Sequence, residues 1–233
     1  MGDTMTQKVI TVIGGTGSQG SGLVRAILDD PRGEFRARVV TRNPTSEKAL
    51  ALADAGAAVV QADLDDVASL RAAFEGAHGA FCVTNFWEHF SPDKEMAQAK
   101  NLAAAARAAG VSHVIWSTLE DTRRWVPLED DRMPTLMERF KVPHFDAKGE
   151  ADAFFVESGV PTTLLVTTFY WDNLLHFGME PQRGEDGGLV FALPMGEAKL
   201  SGIAAVDIGK CAFGIFQGAT ILSGRPWASQ VST

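Results

Sequence analysis

The sequence predicts an α/β fold in which helices cover both faces of a doubly wound parallel sheet. From residue 8 to residue 118, short apolar runs alternate with amphipathic stretches, which is the rhythm of strand–helix–strand units. The apolar runs are nearly continuous, as expected for strands that are buried on both faces. A glycine-rich turn also joins the first apolar run to the first amphipathic stretch, which is a common place for a ligand-binding loop in such sheets.

Five strands and four helices account for the first half of the chain. Glycine and proline residues such as Pro31, Gly56 and Gly110 mark several of the helix ends. We predict strands over residues 8–14, 35–42, 57–63, 79–85 and 112–118. We predict helices over residues 20–30, 46–56, 65–76 and 93–110.

Beyond residue 118 the alternation breaks. Residues 119–138 are charged and contain two prolines, so we expect a long irregular loop, and loops at this end of a parallel sheet commonly bind ligands. A helix through residues 145–159 and a strand over residues 161–168 should follow. The remaining expected elements are a Gly/Pro-rich segment at 178–202, a helix near 206–218 and a last short strand near 226–232.

The composition argues against several kinds of function. The 233-residue chain has a formal net charge of −8, which disfavours contact with a phosphate backbone, so we expect no direct nucleic-acid binding. Its apolar runs are too short to span a bilayer and its start, "MGDTMTQ", is polar, so we expect a cytoplasmic protein without membrane contacts. Cys82 and Cys211 lie in apolar runs and are expected to be free thiols. The histidines show no metal-ligand spacing, so we predict no metal site.

The stretch "VIGGTGSQG" matches two glycine patterns of dinucleotide-binding loops. Gly14, Gly17 and Gly20 fit G-x-x-G-x-x-G, and G-x-G-x-x-G fits when counted from Gly15. Small residues allow a tight turn and let backbone amides approach a pyrophosphate, while the helix N-terminus adds partial positive charge. The alternative is a turn that binds nothing. We favour a cofactor loop formed by Gly14, Gly15, Thr16, Gly17, Ser18, Gln19 and Gly20.

The ends of the next three strands suggest how the rest of a dinucleotide would be held. An NAD site usually has an acidic residue where the second strand ends, whereas this strand ends in Arg42, which favours the 2′-phosphate of NADP(H) unless it is only a solvated charge. Asp63 could accept a hydrogen bond from the adenine amino group while Leu64 packs on the ring. Phe86, the aromatic residue that follows the fourth strand, could line the cofactor or could equally pack in the core. The middle of the cofactor would be lined by Thr84, Asn85 and Phe86.

The stretch "HFDAKGE" raises the question of catalysis. In many nucleotide-dependent reductases a Tyr precedes a Lys at this spacing and donates the proton, but here the pair is His144 and Lys148. Lys148 could still hydrogen-bond the nicotinamide ribose, and His144 could act as the acid, because imidazole titrates near neutral pH. Ser117 or Thr118 could take the place of a catalytic serine. The single tyrosine, Tyr170, either lines the cofactor or packs beside its neighbours.

Six motifs occur in order along the chain: "VIGGTGSQG", "VVTRNP", "VTNFWE", "STLED", "HFDAKGE" and "FYWDNLL". Together they resemble the NmrA-like proteins, an atypical branch of the short-chain dehydrogenase/reductase superfamily, and most of all its redox-sensor (HSCARG-like) type. The resemblance covers nearly the whole chain. The motifs "HFDAKGE" and "VTNFWE" are specific to that branch, whereas the glycine loop is widespread.

The resemblance implies a Rossmann domain over residues 1–168 and a small C-terminal α/β subdomain over residues 169–233 that is interleaved with the sheet. Relatives usually continue further, so we expect this subdomain to be shortened. The redox-sensor type carries a lysine in the helix after "NFWE", where this chain has Ala97 between Lys94 and Lys100. The contacts to NADP(H) that the resemblance implies are residues 14–20, Arg42, the Asp63 region, Thr84–Phe86, Lys148, Phe169, Tyr170, Trp171 and Asp172.

The resemblance supports two functions. Proteins of the redox-sensor type also carry His at the position of His144 and report the NADPH/NADP balance to regulatory protein partners. The first hypothesis is therefore an NADP(H)-binding redox sensor that prefers NADP(H) to NAD(H) and has little or no dehydrogenase turnover. The second is an NADPH-dependent reductase of small carbonyl or quinone substrates, since other relatives transfer hydride. The Ala-rich helix 95–109 could form a homodimer face, although core packing is the simpler account.

Overall fold

The computed structural model describes residues 7–175 and 179–218, together with the backbone of residues 227–228. The strands are β1 Lys8–Ile13, β2 Phe35–Thr41, β3 Ala58–Gln61, β4 Gly79–Cys82, β5 His113–Thr118, β6 Thr162–Val166, β7 Phe169–Tyr170, β8 Gln182–Arg183, β9 Leu189–Val190, β10 Gly202–Ile203 and β11 Trp227–Ala228. The helices are α1 Ser18–Leu28, α2 Glu47–Asp54, α3 Val67–Phe74, α4 Pro92–Ala108, α5 Pro143–Ser158 and α6 Ala205–Gly218. Short 3₁₀ helices cover Phe86–Glu88, Thr122–Arg124 and Trp171–Leu175.

The main sheet confirms the predicted fold class. Its seven strands run in the order β3-β2-β1-β4-β5-β6-β11, and each pairing is parallel. Helices α3, α4 and α5 cover one face through a core that includes Leu70, Leu102 and Phe155. Helices α1 and α6 cover the other face through a core that includes Leu23 and Ile208. This is the doubly wound arrangement, in which ligands bind at the carboxyl edge where the strand order reverses between β1 and β4.

Local sequence signals fix the ends of the helices that border this edge. The Asp66 carboxylate accepts hydrogen bonds from two backbone amides in the first turn of α3, and the Ser91 hydroxyl accepts one in the first turn of α4. Gly159 ends α5 with a φ of 75°, a left-handed conformation that glycine adopts without strain. The predicted element boundaries therefore lie within a few residues of the observed ones.

Helix α6 packs against α1 at very short range. A Cβ atom added to Gly22 would lie 2.2 Å from the Val206 carbonyl oxygen, and one added to Gly209 would lie 2.1 Å from the Leu23 amide nitrogen. No side chain can be accommodated at such distances, so this helix crossing requires glycine at both positions. Since α6 follows residue 168, the expected C-terminal subdomain shares a core with α1, and the boundary at residue 168 stays a prediction.

The segment between β5 and α5 is irregular, as its sequence predicts, apart from the 3₁₀ helix Thr122–Arg124, and two buried charged side chains hold it in place. The buried ammonium of Lys141 donates hydrogen bonds to the carbonyl oxygens of Asp130 at 2.6 Å and Met133 at 2.7 Å. The buried carboxylate of Asp146 accepts hydrogen bonds from the backbone amides of Thr122 at 2.8 Å and Lys141 at 2.7 Å. The two buried charges tie this segment to the start of α5, whereas a charged sequence alone suggests a solvated loop.

Three further details differ from the sequence-based expectations or extend them. Helix α5 begins at Pro143, two residues earlier than predicted, so His144 lies in its first turn. The Gly/Pro-rich segment contains the antiparallel pair β8–β9, and β10 pairs with β7. Strand β11 pairs with β6; the rest of the strand expected over 226–232 lies outside the described residues. Within residues 7–175, 179–218 and 227–228, no helix has both the length and the hydropathy to cross a membrane.

Candidate functional site

The glycine loop after β1 is folded too tightly for larger residues. Gly14 has a φ of +65°, and the Gly17 amide donates a hydrogen bond to the Gly14 carbonyl oxygen at 2.8 Å. A Cβ atom added to Gly15 would lie 2.8 Å from Val39 Cγ1, and one added to Gly20 would lie 2.4 Å from the Gly14 carbonyl oxygen. The glycines therefore let the loop, the start of α1 and strand β2 approach one another closely.

The start of α1 has the features of an anion site. Gly17 is the N-cap residue, and no side-chain hydrogen bond caps the first turn of the helix. The amides of a helix's first turn lack intrahelical partners and carry partial positive charge, so they attract phosphate groups. The cradle of small residues and the uncapped helix start together fit a pyrophosphate, as the sequence predicts.

Gln19 connects three elements at the carboxyl edge of the sheet. Its side-chain nitrogen donates a hydrogen bond to the Tyr170 hydroxyl at 2.5 Å, and its side-chain oxygen accepts one from the Ser117 hydroxyl at 2.7 Å. Burial raises the pKa of Tyr170 above its usual range. The sequence predicts each of these residues at the site, but it gives no sign that Gln19 joins the other two.

Arg42 follows β2 at the same edge. Strands β1 and β2 pair with Ile13 opposite Val40, so Arg42 lies close to the level of the glycine loop. Its guanidinium forms an ion pair with the carboxylate of Glu88, which raises the pKa of Arg42. The structure thus places Arg42 at the predicted strand end and gives it a partner that sequence reasoning missed.

The turn after β3 carries the residues expected near an adenine ring. The Asp63 carboxylate accepts a hydrogen bond from the Asp65 amide at 2.9 Å. The Leu64 carbonyl oxygen accepts one from the Asn101 side chain at 2.9 Å, and the Leu64 side chain packs against the core. These contacts fix the shape of the turn, and the predicted adenine contacts stay predictions.

Lys148 is enclosed in a buried polar cluster with Thr84 and Glu95. Its ammonium donates a hydrogen bond to the Thr84 hydroxyl at 2.7 Å and lies 3.0 Å from Glu95 Oε1. The Thr84 hydroxyl in turn donates to the same Glu95 oxygen at 2.6 Å, and the Glu95 side chain is 0% exposed. The ammonium also lies 4.7 Å from the centre of the Trp116 ring. Burial lowers the pKa of Lys148, and the neighbouring carboxylate opposes that shift.

His89 lies on the other side of Glu95 from Lys148. Its Nε2 atom lies 3.4 Å from Glu95 Oε2, and both buried atoms lack a hydrogen-bond partner among the described residues. Its Nδ1 atom accepts a hydrogen bond from the Ser91 amide at 3.1 Å. Neither Glu95 nor His89 is among the site residues predicted from the sequence. An acidic residue in the first turn of the helix after "NFWE" was the available signal, but such residues usually stabilise an exposed helix end.

His144 lies among aromatic rings. Its ring centre is 4.8 Å from that of Trp87, 5.6 Å from that of Phe86 and 4.9 Å from that of Phe145. Burial, followed by the charge of Lys148, lowers the pKa of His144. Its imidazole is therefore largely neutral at neutral pH.

The remaining predicted contacts lie at the start of the 3₁₀ helix after β4 and among the C-terminal elements. Asn85 is the N-cap residue of the 3₁₀ helix Phe86–Glu88. The Phe169 and Trp171 rings are 6.0 Å apart, and a Cβ atom added to Gly202 would lie 2.5 Å from the Trp171 ring. The Asp172 carboxylate accepts a hydrogen bond from the first amide of α6 at 2.8 Å. Across the described ranges, no group of three or more His, Cys, Asp or Glu side chains is placed to hold a metal ion.

The buried carboxylate of Asp152, beneath this site, should make the free energy of unfolding depend on pH. It accepts hydrogen bonds from the Trp116 indole at 2.9 Å and the Thr118 hydroxyl at 2.6 Å, and burial raises its pKa from 3.8 to about 6. Because the folded state holds this proton more tightly, the contribution of Asp152 is present below about pH 4 and is lost as the pH rises through about 6.

The variant Asp152→Asn should remove this dependence. Between about pH 4 and pH 7, the free energy of unfolding of the variant should rise by about 2 kcal/mol relative to the unsubstituted protein. Urea denaturation of both proteins across that range measures the difference. A difference that does not change with pH would show that Asp152 is ionised equally easily in the folded and unfolded chain.

Comparison with known sequences points to one family. The model of the NmrA-like family matches residues 6–228. Among curated proteins, the NmrA-like family domain-containing oxidoreductase malD of Malbranchea aurantiaca is 40% identical over 116 residues, which is 48% of this chain and 34% of that protein. The match therefore spans about a third of the length of that relative.

Solved structures of a regulator and of an enzyme share the fold. NmrA, a negative transcriptional regulator solved in complex with NADP, superimposes with a TM-score of 0.81 at 25% identity, covering 97% of this chain and 67% of that chain. The same regulator has also been solved with NAD. The NADPH-dependent quinone oxidoreductase QOR2 of Escherichia coli, complexed with NADPH, superimposes with a TM-score of 0.68 at 27% identity, covering 91% of this chain and 66% of that chain.

Proposed function

The chain belongs to the NmrA-like family, and we propose that it is an NADP(H)-binding redox sensor with little or no dehydrogenase turnover. One observation carries this proposal: the residues around Lys148 do not prepare a proton donor. A reductase of this superfamily needs an acid that still holds its proton at neutral pH, that releases it readily because a nearby lysine lowers its pKa toward neutrality, and whose proton can reach the substrate.

Neither candidate acid meets this requirement. The pKa of His144 is lowered, so at neutral pH its imidazole is mostly in the neutral form. The protonated form that would donate a proton is scarce, and the ring lies among aromatic side chains. The pKa of Tyr170 is raised by burial, and its hydroxyl accepts a hydrogen bond from Gln19. The ammonium of Lys148 is held by Thr84 and Glu95. This arrangement favours holding a cofactor over consuming it.

The same residues suggest how the dinucleotide would be held. The uncapped first turn of α1 and the glycine cradle would bind the pyrophosphate. The guanidinium of Arg42 would bind the 2′-phosphate, and the turn at Asp63 and Leu64 would border the adenine. When bound, the nicotinamide would supply a hydride. Its ring would be oriented by Thr84–Phe86, Lys148 and the segment 169–172. With these contacts, we expect the site to bind NADP(H) more tightly than NAD(H).

The second candidate is an NADPH-dependent reductase of small carbonyls or quinones. It is favoured by the hydrogen-bonded hydroxyls of Ser117 and Tyr170 on either side of Gln19, which lie next to the glycine loop. Two similar proteins, the E. coli quinone oxidoreductase and malD, are both named as oxidoreductases. In this candidate, His144 or a bound water molecule would supply the proton.

Turnover separates the two candidates. The protein is mixed with NADPH and a panel of quinones and carbonyls, and the absorbance of the reduced nicotinamide is followed. For a sensor, we expect the same slow decay with and without protein, far below an ordinary enzymatic rate of about 1 s⁻¹ or more. Rapid decay would identify a reductase.

Two variants then identify the acid if turnover is found. His144→Ala should abolish turnover if the imidazole donates the proton. His78→Ala, which alters a histidine at the opposite edge of the sheet, just before β4, should leave it unchanged. Equal turnover in all three proteins would exclude His144 as the acid.

A sensor also needs a way to act on other proteins. Trp87 and Phe90 are 60% and 59% exposed beside the proposed nicotinamide end, and exposed aromatic side chains are common in protein interfaces. Contact with a regulatory protein partner is therefore part of the proposal. Homodimer formation through the Ala-rich helix and a cytoplasmic location stay predictions.

A further inference from the structure

The residue proposed to read the 2′-phosphate is already paired with an internal anion. The Arg42 guanidinium forms an ion pair with the Glu88 carboxylate, and both side chains remain partly exposed, at 62% and 46%. A phosphate that approaches Arg42 through solvent therefore meets a guanidinium that a carboxylate has engaged. Each anion seeks the same planar donors.

The charges around Arg42 favour this competition. Besides Glu88, the carboxylates of Asp63 and Asp65 lie close enough to influence the guanidinium. The Lys94 ammonium lies 3.0 Å from Asp65 and is occupied by that residue. Only Glu88 contacts the guanidinium, so a doubly charged 2′-phosphate competes chiefly with that carboxylate for Arg42, whereas Asp63 and Asp65 act at longer range and are screened by solvent.

Glu88 is the carboxylate best placed to leave, and its departure has structural consequences. It ends the 3₁₀ helix Phe86–Glu88, whose Phe86 ring is buried and contacts Trp87 and His144. Phe90, two residues later, has a φ of 53°, a left-handed conformation that is strained for a phenylalanine. Segment 86–90 therefore contains a strained backbone conformation at Phe90, and its Glu88 side chain is paired with Arg42.

We propose that Glu88 is an internal competitor of the cofactor's 2′-phosphate, which NADP(H) must displace from Arg42 and NAD(H) need not. This inference rests on the proposed function. It makes Glu88 a residue that sets the preference between the two cofactors. It also links the phosphate to the exposed aromatic rings of Trp87 and Phe90, because release of Glu88 frees the segment 86–90 that carries both rings.

Calorimetric titration of the whole 233-residue chain with NADP⁺ and with NAD⁺ tests the competition. Glu88→Gln should tighten NADP⁺ binding about fivefold, the upper range for an exposed ion pair, and should change NAD⁺ binding by less than about twofold. The matched control is Asp65→Asn, which removes a nearby negative charge without touching the Arg42 pair. It should change NADP⁺ binding by less than about twofold.

A double-variant cycle shows whether Arg42 mediates the effect. In an Arg42→Gln background, the gain from Glu88→Gln should shrink to that of Asp65→Asn. An equal gain for both nucleotides, a loss of NADP⁺ affinity, or a gain that persists without Arg42 would overturn the inference. If neither nucleotide binds the unsubstituted chain, the proposed function fails as well. If both bind but the variant is not selective, only the role of Glu88 fails.

Tryptophan fluorescence tests this link to the aromatic rings. Saturation with NADP⁺ should change the emission of Trp87, obtained as the difference between the unsubstituted protein and Trp87→Phe, and saturation with NAD⁺ should change it less. Equal changes with the two nucleotides would show that the 2′-phosphate does not act on the 3₁₀ helix.

Discussion

Gly20→Ala should abolish dinucleotide binding. The added methyl group would lie 2.4 Å from the Gly14 carbonyl oxygen and 2.7 Å from the Gly14 carbonyl carbon. Both are backbone atoms of the loop, so no flexible side chain can move aside, and either the loop or the start of α1 must shift. A shift of this size removes the amides from the pyrophosphate. We expect the affinity for NADPH to fall about 100-fold or more, equivalent to about 2.7 kcal/mol.

The matched control for this variant is Ser21→Ala. It changes the next residue of the same helical turn, where the side chain makes only a long hydrogen bond of 3.4 Å to the Ser18 carbonyl oxygen. Its NADPH affinity should stay within about twofold of the original. Circular dichroism and urea denaturation establish that both variants are folded. Normal affinity in a folded Gly20→Ala protein would contradict a phosphate site in the glycine loop.

Glu95→Gln should destabilise the fold by about 3 kcal/mol or more. The substitution removes the counter-charge of Lys148 while keeping the size of the side chain, so a buried ammonium is left without its carboxylate. Breaking a buried pair in this way costs about 3–5 kcal/mol, because the remaining charge stays out of water. Denaturant unfolding at neutral pH measures the loss.

The double variant separates the ion pair from simple packing. Lys148→Met alone should also be destabilising, but Glu95→Gln combined with Lys148→Met should be more stable than the sum of the two losses predicts. The comparison pair is Lys210 and Asp207, which are 64% and 47% exposed at 2.7 Å and should show a coupling of about 0.2–1 kcal/mol. Strictly additive losses at Glu95 and Lys148 would mean that the two charges do not stabilise each other.

Much of the architecture follows from local sequence signals. The strand–helix rhythm and the continuous apolar runs predict a parallel sheet, and the glycine loop marks its first crossover. Single residues such as Asp66, Ser91 and Gly159 then set helix ends through caps that have recognisable sequence patterns. The family resemblance is equally local, because it rests on six short motifs.

The electrostatic partners at the site could not be predicted in this way. Glu95 and Lys148 are 53 residues apart in the numbering (148 − 95), and nothing in the sequence indicates that a carboxylate near a helix start is fully buried. Gln19 reads as a spacer in a glycine pattern, although it joins Ser117 to Tyr170. Glu88 reads as a polar residue in a family motif. In each case the pairing depends on which strand ends meet at the sheet edge.

The most direct test of cofactor binding is an equilibrium titration of the 233-residue chain with NADPH, followed by the fluorescence of the reduced nicotinamide. We expect saturable binding of one NADPH per chain, weaker binding of NADH, and loss of the signal in Gly20→Ala. A titration that shows no saturable binding, or equal binding to the Gly20→Ala protein, would contradict the claim that this chain holds NADP(H) on its glycine loop.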